Sequence, residues 1–257
     1  MVRPVSGLHV VILAAGKGSR LGALAADRPK WLLDVGGSPI ADRQMAAVAG
    51  ARERDAASLA SVRVVTGHAD SAVAAYLGAE DDVQLVHNPR YADLNNWYSV
   101  LVALRSIPDA GGGVAVINSD LFAPGPWIQA FLESAASTEH EALIAVDMER
   151  QLTDESMKVS ASGGELEAIG KVGIEDPVGE YVGMLMARGG ALARFRETLE
   201  GFEGVAEHAD EWYERGVGLT AAEGVPWTVW PTLDTGWVEI DDDGDHAAAE
   251  RLAAAEA

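Results

Sequence analysis

The segment that decides the fold lies near the start of the chain, where residues 9–21 read HVVILAAGKGSRL. It opens with a short apolar run rich in β-branched side chains, and glycines follow soon after. This pattern predicts a buried parallel strand that ends in a tight loop. Backbone N–H groups of such a loop can approach phosphate oxygens while Lys17 and Arg20 supply positive charge. A purely structural turn would account for the glycines equally well.

The glycine loop fits neither of two widespread phosphate-binding patterns. A Walker A loop requires an earlier glycine, which is absent at the required spacing before Gly16-Lys17. A dinucleotide-binding fingerprint requires a further glycine where this chain has Leu21. What remains is a strand, a turn of small residues and a cluster of basic side chains.

Strand and helix patterns alternate through the first half of the chain. The predicted strands cover residues 9–13, 62–67, 83–86 and 113–118, and the predicted helices cover residues 42–51, 71–77 and 97–105. This alternation predicts an α/β fold with a Rossmann-like, mostly parallel sheet and helices on both faces. Ligands of such sheets bind beyond the carboxyl ends of the strands, which is where Gly16 and Asp120 fall.

The second half alternates less regularly. Strands are predicted at residues 142–146, 181–187, 227–230 and 237–240, with a hairpin formed by residues 158–160 and 166–169. Helices are predicted at residues 190–199, 208–215 and 247–255. No linker is long enough to separate domains, so we expect residues 1–257 to form a single domain.

The composition disfavours several classes of function. A net charge of −21 argues against nucleic acid and anionic membranes as partners, because both are polyanions. The absence of cysteine excludes disulfides, zinc–thiolate sites and thiol catalysis. The apolar run at residues 8–15 is too short to span a bilayer and lacks the features of a secretory signal, so we expect a cytoplasmic location.

Lysine is rare in this chain, and its few positions are informative. The 19 positive charges include only four lysines, which are Lys17, Lys30, Lys158 and Lys171. A lysine kept against an arginine-rich composition suggests an ammonium group aimed at phosphate. Chance and codon usage are the alternative explanation.

The opening segment, followed by Arg28-Pro29-Lys30, resembles that of the nucleotidyltransferases that join an NTP to a sugar phosphate or alcohol phosphate. Within them the chain is most similar to CTP:phosphocholine cytidylyltransferases and to the related phosphonate and polyol-phosphate cytidylyltransferases. Four further segments occur in that family's order: NPRYADLNNWYS at 88–99, VINSD at 116–120, GEYVG at 179–183 and WVEID at 237–241. The resemblance implies a fold of the nucleotide-diphospho-sugar transferase type.

The resemblance also implies a reaction. Residues 1–125 would bind the NTP, with CTP favoured, and residues 126–257 would bind a small phosphorylated or phosphonate alcohol and supply a second metal ligand. Mg²⁺ and fixed cations stabilise the charge that develops during such a transfer. The implied metal ligands are Asp120 and Asp241, and the implied catalytic residues are Arg20, Lys30 and Lys171. Asp120 could instead cap a helix, and only the resemblance separates Asp241 from Asp242 and Asp243.

The remaining implied contacts divide between the two substrates. Nucleotide-binding residues would be Leu13, Ala14, Ala15, Gly16, Lys17, Gly18, Asn95 and Ser99. Acceptor-binding residues would be Asp93, Asn96, Tyr98, Lys158, Tyr181, Trp212 and Tyr213. Aromatic faces beside carboxylates could hold a quaternary ammonium, although aromatic side chains are as often simply core.

Two other readings remain open. The enzyme could act on a sugar phosphate or cyclitol phosphate with another NTP, or the chain could be a non-catalytic NTP sensor on the same fold. The expected oligomeric state is a monomer or a homodimer.

Overall fold

The computed structural model describes residues 7–25, 28–55, 58–78, 83–107, 111–232 and 236–256. In chain order the strands are β1 Leu8–Ala14, β2 Asp34–Val35, β3 Ser38–Pro39, β4 Leu59–Thr66, β5 Val83–His87, β6 Val114–Asn118, β7 Leu121–Phe122, β8 Ala142–Asp147, β9 Lys158–Ser162, β10 Glu165–Gly170, β11 Gly179–Ala187, β12 Trp227–Pro231 and β13 Val238–Glu239. The helices are α1 Ile40–Arg54, α2 Asp70–Leu77, α3 Asn96–Ser106, α4 Gly125–Ser137, α5 Gly189–Phe202, α6 Tyr213–Ala222 and α7 Asp243–Glu256.

A nine-stranded sheet runs through the molecule in the order β5-β4-β1-β6-β11-β8-β12-β10-β9. The first four of these strands are parallel neighbours, as the alternation of strands and helices predicts. From β11 onward the sheet is mixed, because β11 lies antiparallel to both β6 and β8 while β12 is parallel to β8. The α/β class is confirmed, and the continuous run of parallel strands lies in the first half of the chain.

Helices cover both faces of the sheet, and β1 shows how one strand serves two cores. Val10 and Ile12 pack with α1, α2 and α4, whereas Val11 and Leu13 pack with α3, α5 and α6. A strand with apolar side chains on both faces belongs in the centre of a sheet that is covered on both sides. This burial fixes the position of the loop that follows β1.

A third, smaller apolar cluster joins the end of the chain to its beginning. Ala249 and Ala253 of α7 pack with Val35, Phe122 and Ile240. Short strand β13 pairs antiparallel with β7, and the Ile240 N–H donates to the Asp120 carbonyl at 3.0 Å. The segment after β13 is thereby placed beside the end of β6.

Three sequence predictions differ from the structure. The helix predicted at residues 208–215 is wrong, because a single 3₁₀ turn at Ala206–His208 precedes α6, which begins only at Tyr213. The Asn96 side chain accepts from the Tyr213 N–H at 2.9 Å, and this contact fixes where α6 starts. Helix α4 was not predicted, although proline in its first turn is a common start signal. The last strand is only Val238–Glu239 and is shorter than predicted.

Among the described residues, no helix has both the length and the apolar character that crossing a membrane requires.

Candidate active site

A cleft of about 310 Å³ opens over the edge of the sheet where β1 and β6 end. Strand β11 runs antiparallel and therefore begins at the same edge. The cleft lies where ligands of open α/β sheets bind. The predicted site residues that line it are Leu13, Ala15, Gly16, Gly18, Arg20, Lys30, Asn95, Asn96, Ser99, Asp120, Lys171, Tyr181, Trp212 and Asp241.

The glycine loop leads from β1 into a 3₁₀ helix at Ser19–Ala25. Gly18 has a positive φ of 59°, and a Cβ placed there would lie 3.1 Å from Cγ of Lys30. Glycine is required here both for the backbone conformation and for the passage of the Lys30 side chain. The loop is thus shaped to bring Lys30 to the end of the strand.

Lys30 lies between two aspartates that are far apart in sequence. Its Nζ lies 3.1 Å from Oδ2 of Asp120 and also contacts Oδ1 of Asp241, and the Lys30 side chain is only 14% exposed. Burial lowers the pKa of Lys30, but the two carboxylates outweigh burial and raise it overall. Lys30 is therefore a permanent cation.

Asp241 is held by a second cation at the rim of the cleft. Nη2 of Arg20 donates to Oδ2 of Asp241 at 2.7 Å. Burial would raise the pKa of Asp241, but Lys30 and Arg20 together lower it below its ordinary value. Asp241 is therefore ionised at neutral pH.

Glu239 completes a carboxylate triad that the sequence prediction missed. Single carboxylate oxygens of Asp120, Glu239 and Asp241 all lie within 4.8 Å of one another. Desolvation of its carboxyl group, although the residue as a whole is exposed, and the nearby charges of Asp120 and Asp241 raise the pKa of Glu239 well above its ordinary value. Three carboxyl groups this close together offer the hard oxygen donors that a divalent cation such as Mg²⁺ prefers. The signal was present, because Glu239 lies two residues before Asp241 and alternate residues of a strand share one face.

The opposite side of the cleft carries Lys171. Its Nζ lies 3.0 Å from Oε2 of Glu155 and 5.2 Å from the centre of the Trp212 ring. The hydrogen bond from Lys171 lowers the pKa of Glu155. Lys158 does not line the cleft; its Nζ donates to the Lys171 carbonyl at 2.8 Å. Lys158 therefore supports the segment that carries Lys171.

A hydrogen-bonded chain of side chains forms the floor behind the cleft. The hydroxyls of Tyr181 and Tyr213 are 2.9 Å apart, and the Tyr213 hydroxyl donates to Oδ1 of Asn118 at 2.8 Å. Burial, with the Glu214 charge as a further cause, raises the pKa of both tyrosines well above its ordinary value. Gly183 has a φ of 84°, and a Cβ there would lie 2.9 Å from the Asn118 amide nitrogen. Neutral hydroxyls therefore hold the Asn118 amide at the cleft.

The Asn95-Asn96 pair ties α3 to the start of α6. Asn95 caps α3 through the Asn96 N–H, and its own amide donates to the Asp210 carbonyl at 2.9 Å. Oδ1 of Asn96 accepts a hydrogen bond from the Tyr213 N–H. The two asparagines thus position the segment that carries Trp212.

Besides Lys158, five of the predicted residues do not line the cleft. Ala14 is buried on the far face of the sheet, and Lys17 lies over the Tyr91 ring at 5.7 Å. Asp93 pairs with Arg90, and Tyr98 packs against Trp97. Tyr213 lies behind the cleft, as described above.

Glu214 lines the cleft and was not predicted. It is only 5% exposed, and burial raises its pKa to about 7. The sequence pattern that could have predicted its burial is a carboxylate on the helix face that also buries Val217 and Thr220. That pattern is readable only when the start of α6 is known.

Comparison with known proteins identifies relatives of this chain. The family model for the MobA-like NTP transferase domain matches residues 10–212. Among curated proteins, CMP-5'-(3-aminopropyl)phosphonate synthase of Streptomyces rubellomurinus is 30% identical over 259 residues, which cover 95% of this chain. The chain spans 38% of that relative's length.

Two solved structures share the fold over nearly the whole chain. The CTP:phosphocholine cytidylyltransferase from Streptococcus pneumoniae matches with a TM-score of 0.73 at 20% identity, covering 96% of this chain and 99% of that one. The inositol-1-phosphate CTP transferase from T. maritima matches with a TM-score of 0.73 at 19% identity, covering 97% and 96%. These matches confirm the nucleotidyltransferase type of α/β fold.

Proposed function

Because this chain belongs to the MobA-like NTP transferase family, we propose that it transfers a cytidylyl group from CTP to a small phosphorylated or phosphonate alcohol. The proposal rests mainly on one observation. Near the glycine loop, the ammonium of Lys30 contacts carboxylate oxygens of both Asp120 and Asp241. Cations and metal-binding oxygens are needed together wherever phosphoanhydride bonds are broken.

The two sides of the cleft suit the two substrates. Backbone groups from Leu13 to Gly18 would surround the nucleotide, and Asn95 and Ser99 would line its other side. Arg20 and Lys30 would hold the departing pyrophosphate, and Lys171 would hold the acceptor's phosphate or phosphonate group. An oxygen of that group forms a bond to the α-phosphorus, and the bond from the α-phosphorus to the bridging oxygen breaks. No general base is needed, because the attacking oxygen is already anionic at neutral pH.

We propose Mg²⁺ as the metal, with Asp120, Glu239 and Asp241 as its protein ligands. When bound, the ion would neutralise charge on phosphate oxygens. Lys30 would retain its own charge for the pyrophosphate, because its raised pKa keeps it protonated across the neutral range.

The choice of cytosine is supported by the relatives. The synthase from Streptomyces and both solved structures are named for CTP or for a CMP product. The rival acceptor, a cyclitol phosphate, draws support from the T. maritima enzyme, which has the same fold and is named for inositol phosphate.

Pyrophosphate release tests the proposal directly. The protein is incubated with Mg²⁺, each of the four NTPs and a panel of phosphorylated and phosphonate alcohols that includes inositol 1-phosphate. We expect release with CTP and a small acyclic acceptor. A preference for another NTP would overturn the cytidylyl assignment, and release with no pair at all would favour a non-catalytic sensor.

A further inference from the structure

Glu214 is a buried carboxylate in the cleft with one oxygen left without a partner. The residue is 5% exposed. Its Oε2 atom is buried and finds no hydrogen-bond partner among the residues that the structure describes. An unsatisfied charged acceptor is costly to bury, so it points to a group that arrives with the substrate.

Lys171 and the Tyr213 hydroxyl, which both influence Glu214, are each engaged with another residue. Lys171 pairs with Glu155, and the Tyr213 hydroxyl donates to Asn118. The carboxylate of Asp120 also lines the cleft and adds negative charge to this region. A group that satisfies Glu214 should therefore be positively charged as well as a hydrogen-bond donor.

Trp212 offers the second element of such a subsite. Its side chain lines the cleft and stays 40% exposed. The ammonium of Lys171 lies 5.2 Å from the centre of its ring, so the ring adjoins the group proposed to hold the acceptor's phosphate or phosphonate. An alkyl chain that ends in an ammonium would find an apolar wall at Trp212 and an anion at Glu214.

On the basis of the proposed function, we propose that Glu214 selects an acceptor that carries a primary ammonium group at the end remote from its phosphate or phosphonate. A primary ammonium donates an N–H to Oε2 and neutralises the carboxylate. A quaternary ammonium has the positive charge but no N–H donor, and a neutral alkyl group has neither the charge nor a donor. Charge-assisted hydrogen bonds are the strongest of these contacts.

The test compares three acceptors with CTP and Mg²⁺: 3-aminopropylphosphonate, its neutral isostere butylphosphonate, and choline phosphate. Pyrophosphate release gives kcat/KM, and calorimetric titration of each acceptor gives binding without turnover. We expect the primary ammonium acceptor to exceed both others by roughly 10- to 100-fold, as a charged hydrogen bond implies.

Two variants assign the preference to Glu214. In Glu214→Gln the preference should fall to within about threefold, because the amide is neutral and the ammonium loses its counter-charge. Glu214→Asp keeps the charge and should retain part of the preference. The matched control is Glu207→Gln, which removes one charge from an exposed site just before α6 and should leave the preference unchanged.

The outcomes separate this inference from the proposed function. Turnover without a preference for the ammonium, or a preference that survives in Glu214→Gln, overturns the inference and leaves cytidylyl transfer standing. Absence of pyrophosphate release with every NTP overturns the proposed function. In that case the calorimetric titrations of the acceptors still test the inference about Glu214. Equal binding of 3-aminopropylphosphonate and butylphosphonate overturns it in that case too.

Discussion

The two sides of the cleft are built in different ways. The glycine-loop side comes from one continuous stretch that runs from β1 through the 3₁₀ helix to Lys30. The side proposed to bind the acceptor, called the acceptor side below, is formed by separate segments that carry Glu155, Lys171 and Trp212. A surface formed by one strand and its loop consists of consecutive residues and can be predicted from the sequence. A surface formed by separate segments depends on how the helices and the second half of the sheet pack.

The carboxylate triad joins the two sides, and breaking it should have the largest effect. Asp120→Asn, Glu239→Gln and Asp241→Asn should each lower kcat by at least about a hundredfold, because metal-held charge stabilisation contributes several kcal/mol. Asp243→Asn at the exposed start of α7 is the matched control and should have little effect. Steady-state kinetics and thermal unfolding of all four proteins check this, and a Glu239→Gln enzyme with wild-type kcat would remove Glu239 from the triad.

Glu214 gives the acceptor side a pH dependence of stability. Its pKa is raised from 4.5 to about 7 by burial, so the folded protein binds a proton here that the unfolded chain has released. The contribution of Glu214 to stability is therefore fully present below about pH 4.5 and is lost as pH rises through about 7, by about 3 kcal/mol in total. Urea unfolding of the wild type and of Glu214→Gln, without metal, should show equal stability at pH 4.5 and a more stable variant at pH 8. A difference that stays constant with pH would contradict the prediction.

The two cleft lysines should separate the two substrates. Lys30→Ala should lower kcat/KM for the NTP, and Lys171→Ala should mainly raise the KM for the acceptor, each by roughly 10- to 100-fold, because each removes a charge-assisted contact. Varying one substrate at a time measures both constants. If both variants changed only the KM for the NTP, the division of the cleft into two sides would be wrong.

The smallest effect is expected for the floor behind the cleft. Tyr213→Phe removes the hydroxyl that donates to Asn118 and meets Tyr181, and it should cost about 1 kcal/mol of unfolding free energy. Because Asn118 lines the cleft, the acceptor KM should also rise modestly. Urea unfolding and kinetics measure the two effects, and unchanged values in both would show that the floor does not position Asn118.

Prediction from sequence succeeded where the information is local. The alternation of strands and helices in the first half gave the α/β class, and β1 with its loop was located within a residue or two. Asp120 was found because it directly follows a buried strand, and carboxyl ends of parallel strands share one edge of the sheet. These features depend on side-chain periodicity and on short connections, which are visible in consecutive residues.

The acceptor side was harder to predict because its elements are placed by contacts distant in sequence. Lys158 was expected in the cleft, but it holds the Lys171 carbonyl from outside. The start of α6 depends on Asn96, which lies 117 residues before Tyr213, so helical periodicity alone misplaced it. With that start misplaced, the buried carboxylate of Glu214 could not be recognised.

The sequence by itself determined the fold class, the glycine loop after β1 and the position of Asp120 at the end of a strand, because each follows from a strand and the residues at its end. Asp241 was separated from its acidic neighbours only by the family resemblance. The tertiary structure decided which carboxyl groups lie close together and which cationic side chains form ion pairs with them. Pairing of β13 with β7 brings Glu239 and Asp241 to Asp120, and Lys30 reaches them only because Gly18 leaves room for its side chain. These contacts depend on packing between segments that are distant in sequence, and the spacing of residues within one segment does not specify them.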